Sequence, residues 1–169
     1  MMTLRTICAV PYFALALLTG LSFATLVSVV PVAAQTPAGG ALSESQDVNG
    51  APGVVAEIVQ CKREGGVLSI RMRLRNTGSE KSYLKMVHGG SYDGYYLVAG
   101  NKKYFILRDS EKTPLANPTN TFGKDVETTI PTGGSFVWYA KYPAPPNEVK
   151  KITYYTPITP PFEEIPVSE

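Results

Sequence analysis

Residues 68–76 read LSIRMRLRN and alternate between apolar and polar side chains. The apolar set is Leu68, Ile70, Met72 and Leu74, and the polar set is Ser69, Arg71, Arg73 and Arg75. A period of two residues over this length is typical of a β-strand that buries one face and exposes the other to water. This segment therefore predicts a half-buried sheet.

Other short segments repeat this pattern between clusters of glycine, proline and asparagine. The apolar runs on either side of Gly100, Asn101 and Lys102 predict a hairpin, because these residues suit a tight turn. SFVWYAKY, at residues 135–142, is a second alternating strand, and we expect Trp138 to lie in the core. No stretch has convincing helical periodicity. The sequence thus predicts an all-β fold, an immunoglobulin-like antiparallel β-sandwich of about seven or eight strands.

The first residues have the layout of a secretory signal. Arg5 precedes a long apolar run, which ends at small residues suited to signal peptidase around Ala34. We therefore predict a signal peptide over residues 1–34, a flexible linker over 35–53 and a β-sandwich domain over 54–169. If the apolar run were not cleaved, it could anchor the chain; after cleavage no membrane span would remain. The predicted location is periplasmic or secreted.

The charge balance argues against a nucleic-acid-binding protein, and the cysteine content argues against a fold that depends on an internal disulfide. The chain has 16 basic and 14 acidic residues, whereas proteins that bind nucleic acid usually carry a concentrated basic surplus. We therefore expect no nucleic-acid partner. Cys61 is the only cysteine after residue 34, so an internal disulfide in the processed chain is excluded. Its thiol is either buried and inert or bonded to a second molecule, and the sequence leaves both open.

The sequence shows no recognisable catalytic apparatus. His88 is the only histidine, and no G-x-S-x-G element is present. No pair of carboxylates or spacing of metal ligands stands out either. We therefore predict a protein that is not an enzyme and needs no cofactor.

A tyrosine-rich segment is the first candidate ligand site. In SYDGYY, at residues 91–96, the rings of Tyr92, Tyr95 and Tyr96 could stack on sugars while Asp93 accepts hydrogen bonds from hydroxyl groups. The alternative is a turn at Asp93, with the tyrosines placed in strands for structural reasons.

Arg71, Arg73 and Arg75 form the second candidate, a basic surface that Lys62 and Arg63 would extend. It could meet acidic wall polymers or lipid head groups. Alternatively, it is the solvated face of a strand, partly neutralised by Glu57 or Glu64 on a hairpin partner.

Met86 and His88 are the third candidate, since a thioether and an imidazole two residues apart would suit copper(I). The alternative is a packing methionine beside a loop histidine.

The end of the chain, WYAKYPAPPNEVKKITYYTPITPPFEEIPV, resembles the ending of a sandwich module found in bacterial cell-envelope proteins. Some of those proteins also carry a peptidoglycan-binding domain of the OmpA type, which has no counterpart in this chain. The resemblance rests on Trp138, Val149, the block YPAPP and the terminal PPFE and IPV. It implies an envelope protein whose partner is a cell-wall or envelope component, and it implies no particular chemistry.

The terminal segment PPFEEIPV also has a physical interpretation. Its prolines predict a short edge strand that cannot pair with another molecule, and Phe162 is expected to plug the open end of the sandwich.

Two function classes follow from the whole sequence. The preferred one is a non-enzymatic binding or interaction module of the envelope. The other is a periplasmic carrier of a small ligand or copper.

Overall fold

A computed structural model describes residues 40–117 and 125–169, and the structural statements below concern these ranges. The predicted signal peptide lies outside them. They contain no helix, and so none with the length and apolarity that a membrane crossing requires.

Eleven antiparallel strands build the described chain. They are β1 (Gln46–Asp47), β2 (Val54–Glu64), β3 (Val67–Asn76), β4 (Ser82–Val87), β5 (Tyr96–Ala99), β6 (Lys102–Phe105), β7 (Ala116–Asn117), β8 (Val126–Ile130), β9 (Ser135–Pro143), β10 (Lys151–Thr156) and β11 (Thr159–Pro166). One sheet has the order β1-β2-β3-β9-β7, another has the order β11-β10-β5-β6, and β4 pairs with β8. The all-β prediction is confirmed. The strand number exceeds the prediction partly because β1 and β7 have two residues each, which is too short for any periodicity.

The alternating segment forms β3, which lies between β2 and β9 in the larger sheet. Leu68, Ile70, Met72 and Leu74 are fully buried, as their spacing predicts. The predicted hairpin is formed by β5 and β6, with Ala99 opposite Lys102. Its turn needs only two residues, and Gly100 supplies a φ of 57° that other residues rarely adopt.

A β-bulge in β2 changes which residues face the core. The register with β3 slips between Ile58 and Gln60, so the extra residue Val59 reverses the alternation. Ile58 before the bulge and Cys61 after it are therefore both buried. Arg63 consequently points inward, which removes it from the predicted basic surface.

Buried Arg63 holds the end of the chain against β2. Its guanidinium donates to Glu169 Oε1 at 2.6 Å and to the carbonyl oxygens of Pro146 and Val149 at 3.1 and 2.9 Å. The Ser168 amide donates to the Cys61 carbonyl, and the Arg63 amide donates to the Ser168 carbonyl. The terminal residues thus cover part of the open edge of β2.

The segment before Val54 covers another part of that edge. The Leu42 amide donates to the Ile58 carbonyl at 2.6 Å, and β1 pairs with residues 55–56 of β2. Val48 and Ala51 are buried in the core. The folded unit therefore begins before Val54, and this corrects the predicted linker boundary. The open edge of β2, which composition cannot reveal, gives this polar segment its hydrogen-bond partners.

Trp138 lies at the centre of the core, as the sequence predicts. Its indole stacks on the rings of Tyr92 and Tyr95, with centroids 6.1 and 4.5 Å away. Its Nε1 donates to the Tyr154 hydroxyl at 3.3 Å, and the Tyr142 hydroxyl donates to the same oxygen at 3.1 Å. Because Trp138 belongs to β9 and Tyr154 to β10, this cluster joins the two large sheets.

The final strand is an edge strand, in agreement with the prediction. β11 pairs only with β10 in its sheet, and Phe162 is buried next to Tyr154. A register shift between β10 and β11 leaves Glu163 and Glu164 exposed, and Glu164 has a φ of 54°. This bulge together with the prolines makes the edge a poor template for another strand.

Replacing Tyr154 by phenylalanine should destabilise the fold, because the buried donors of Trp138 and Tyr142 would lose their acceptor. Each buried donor left unpaired costs about 1–3 kcal/mol. Denaturant unfolding followed by tryptophan fluorescence measures the loss.

Tyr155→Phe is the matched control. Tyr155 is half-buried, and its hydroxyl has no hydrogen-bond partner in the described chain. Its removal should change the unfolding free energy by less than about 0.5 kcal/mol. Equal losses in the two variants would contradict a structural role for the Tyr154 hydroxyl.

Candidate binding surface

The structure does not bring the four residues of the tyrosine-rich segment together as a ligand site. Tyr92 and Tyr95 are buried against Trp138, and the Tyr95 hydroxyl donates to the Met86 carbonyl at 2.6 Å. Burial raises the pKa of Tyr95 well above its usual range. Asp93 is exposed in the turn between these two tyrosines. The structural alternative, a turn flanked by packing tyrosines, describes this segment.

Tyr96 is the first residue of β5, directly after buried Tyr95, and belongs to an aromatic row across three strands. Its ring stacks on Tyr155 at 4.7 Å with an interplanar angle of 9°. The Lys103 ammonium lies 4.4 Å from the ring centroid, and Phe105 packs at 6.0 Å from the β6 side. Tyr96 therefore packs against side chains of β10 and β6, apart from the buried Tyr92 and Tyr95.

Met86 and His88 do not share a face. Met86 is fully buried, whereas His88 is exposed in the loop after β4. A register shift between Lys85 and Val87 turns both Met86 and Val87 into the core. The described residues also contain no group of three or more His, Cys, Asp or Glu side chains that could hold a metal ion. The predicted copper(I) pair is therefore not assembled.

The loop around His88 is held by Asp125 at the start of β8. The Lys85 ammonium lies 2.6 Å from Asp125 Oδ2, and the Gly89 amide donates to Oδ1 at 2.7 Å. These two hydrogen bonds lower the pKa of the Asp125 carboxyl. His88 thus borders a structural ion pair.

Glu57 divides the predicted basic surface. It lies on β2 directly opposite Arg73, and its Oε1 accepts hydrogen bonds from the Nε atoms of Arg73 at 2.8 Å and Arg75 at 3.0 Å. One buried carboxylate therefore holds two of the three arginines and offsets one of their two positive charges. Glu64 contacts Lys62 instead. Arg71 is exposed, and no acidic group in residues 40–117 and 125–169 pairs with it.

Arg71 lies beside exposed side chains of β9. It is directly opposite Tyr139, and Lys141 is its diagonal neighbour, at Cβ separations of about 5 Å and 7–8 Å in sheets of this type. Tyr139 is 37% exposed and Val137 is 44% exposed. Lys141 is also exposed and has no acidic partner in the described part of the chain. We name Arg71, Val137, Tyr139 and Lys141 the β3–β9 surface.

A groove of about 260 Å³ borders the β3–β9 surface. Tyr139 and Lys141 form one side, and residues 113–116 form the other. The backbone fixes this arrangement, since the Lys141 amide donates to the Leu115 carbonyl and the Lys141 carbonyl accepts from the Leu107 amide. Pockets for drug-sized ligands usually measure about 300–1,000 Å³. This groove suits one substituent of a larger ligand better than a whole small molecule.

Sequence reasoning found Arg71 and missed Tyr139 and Lys141. The alternation of residues 135–142 places Val137, Tyr139 and Lys141 on the face opposite Trp138, so their exposure was predictable. Their position beside Arg71 depends on the pairing of β9 with β3, and these two strands are far apart in the sequence. No local pattern encodes that pairing.

Comparisons with protein-family models, curated proteins and solved structures find no match to this chain.

The mutation Glu57→Gln should strengthen the binding of an anionic polymer such as dextran sulfate. It removes the negative charge that offsets one of the two positive charges of Arg73 and Arg75, and it preserves the shape of the side chain. The variant should elute from a dextran sulfate column at higher salt than the unmodified protein.

Glu163→Gln is the charge-matched control, because exposed Glu163 lies on β11 and forms no ion pair in the described chain. Elution of both variants at the same salt concentration would show that Glu57 does not control the surface.

Cys61 is fully buried, which favours the inert thiol over an intermolecular disulfide. Burial raises the pKa of its thiol to about 12, and the Arg63 charge opposes this shift only in part. Since the thiolate is the reactive form, Cys61 should resist a thiol reagent at pH 8 until the protein unfolds. Peptide mass spectrometry after labelling, with and without denaturant, measures this; rapid labelling of the native protein would contradict the buried position.

Proposed function

We propose that this protein is a non-enzymatic binding module of the bacterial cell envelope, exported to the periplasm or secreted, and that its β3–β9 surface binds an anionic envelope or cell-wall polymer. The secretory layout of residues 1–34 supports export. The resemblance of the last part of the chain to envelope sandwich modules supports the compartment and the kind of partner.

One observation carries the choice of surface. Glu57 pairs with both Arg73 and Arg75, whereas Arg71 and Lys141 flank Tyr139 without an acidic partner in the described chain. Exposed cations without partners attract anions over about a Debye length, roughly 8 Å at physiological salt. These side chains project from two paired strands of the sheet, so binding requires little ordering of the backbone.

The alternative function, a carrier of copper or a small ligand, has less support. Its residues are divided between the core and the solvent, since Met86, Tyr92 and Tyr95 are buried while His88 and Asp93 are exposed. The β3–β9 surface, in contrast, places its cations and its exposed aromatic ring together on one sheet face.

A pull-down on purified bacterial sacculi tests the proposal. The double variant Arg71→Glu with Lys141→Glu should lose sacculus binding about tenfold or more, because its two carboxylates would repel an anionic polymer. Raising the salt concentration should also weaken binding by the unmodified protein.

The control is Lys81→Glu with Lys102→Glu, which changes the net charge equally at exposed lysines outside the β3–β9 surface. Retention of both double variants to the same extent would refute this surface as the binding site.

A further inference from the structure

We infer that the ligand of the β3–β9 surface is an acidic glycan, a polymer whose sugar units carry carboxylates; this inference rests on the proposed function of the same surface.

The residues on the surface match two features of such a ligand. Tyr139 offers an exposed aromatic ring, on which the apolar C–H face of a sugar can stack. Arg71, directly opposite on β3, offers a planar guanidinium that can hold a carboxylate through two parallel hydrogen bonds. A sugar that carries a carboxylate can make both contacts at once, since the two Cβ atoms lie about 5 Å apart.

Lys141 and Val137 extend this arrangement along β9. The outward side chains of the strand follow at every second residue, so Val137, Tyr139 and Lys141 span about 13 Å in a line. A linear array of apolar, aromatic and cationic groups fits several consecutive units of a chain. The bordering groove is small, and it can accept a substituent of one unit.

The charge pattern argues against a polymer that is recognised by charge alone. Such a ligand would gain most from three free arginines on β3, yet Glu57 holds two of them and offsets one of their charges. The remaining cations, Arg71 and Lys141, are the ones next to the exposed ring of Tyr139. Recognition therefore combines stacking with charge at a single position.

Binding of defined polysaccharides to the purified protein tests the inference. Polygalacturonate supplies sugars with carboxylates, polyphosphate supplies charge without sugars, and dextran supplies neutral sugars. We expect Tyr139→Ala to weaken polygalacturonate binding about tenfold and to change polyphosphate binding less than about twofold. Tyr139→Phe, which keeps the ring, should bind polygalacturonate within about twofold of the unmodified protein.

Tyr83→Ala is the matched control, because Tyr83 on β4 is 56% exposed and lies outside the β3–β9 surface. It should bind polygalacturonate like the unmodified protein. Arg71→Lys keeps the charge but loses the planar fork, so it should weaken polygalacturonate binding several-fold more than polyphosphate binding.

The outcomes separate this inference from the proposed function. If Tyr139→Ala binds both charged polymers as the unmodified protein does, the acidic-glycan inference fails and a surface that recognises charge alone remains. Tighter binding to vesicles with anionic lipids than to polygalacturonate would also overturn it, in favour of a lipid surface. If the Arg71→Glu, Lys141→Glu variant keeps full affinity for every probe and for sacculi, the proposed function itself fails.

Discussion

The packing of Trp138 against Tyr92, Tyr95 and Tyr154 is the interaction on which the rest of the structure depends. The indole of β9 stacks on Tyr92 and Tyr95, and it shares the hydroxyl oxygen of Tyr154 with Tyr142. Because aromatic rings bury large apolar areas and their polar atoms need partners, this cluster fixes both the separation and the relative placement of the two large sheets. Because it buries one face of β9, it also leaves the opposite face, which includes Tyr139, exposed to solvent.

The outward face of the larger sheet shows how one strand can present chemically different arginines. The side chains of β3 alternate regularly, yet the buried Glu57 carboxylate holds Arg73 and Arg75, whereas Arg71 has no acidic partner in the described chain. A desolvated carboxylate is favourable only where hydrogen-bond donors surround it, so Arg73 and Arg75 stabilise the buried Glu57. The surface that remains for a ligand is smaller than the basic row and includes residues from β9.

Much of the fold is readable in the sequence, whereas the site is readable only in part. Leu68 to Leu74, Trp138 and the hairpin at Gly100 occupy the predicted positions, because their signals are local. Arg63 points inward because of a bulge, and Val48 is buried because it fills space beside β2. Tyr92 and Met86 lie in the core for similar reasons. In each case the orientation of the side chain depends on how its segment pairs and packs, which the local alternation of residues does not reveal.

The sequence by itself determined that this chain forms antiparallel strands with one buried face each, because side chains in a strand alternate between two faces whatever surrounds them. It also determined the order of strands along the chain and the protection of the last edge by prolines. Tertiary structure alone decided that β9 lies next to β3 and that Ser168 hydrogen-bonds to β2. Those outcomes depend on pairing between segments far apart in sequence, and pairing is set by the packing of the whole core.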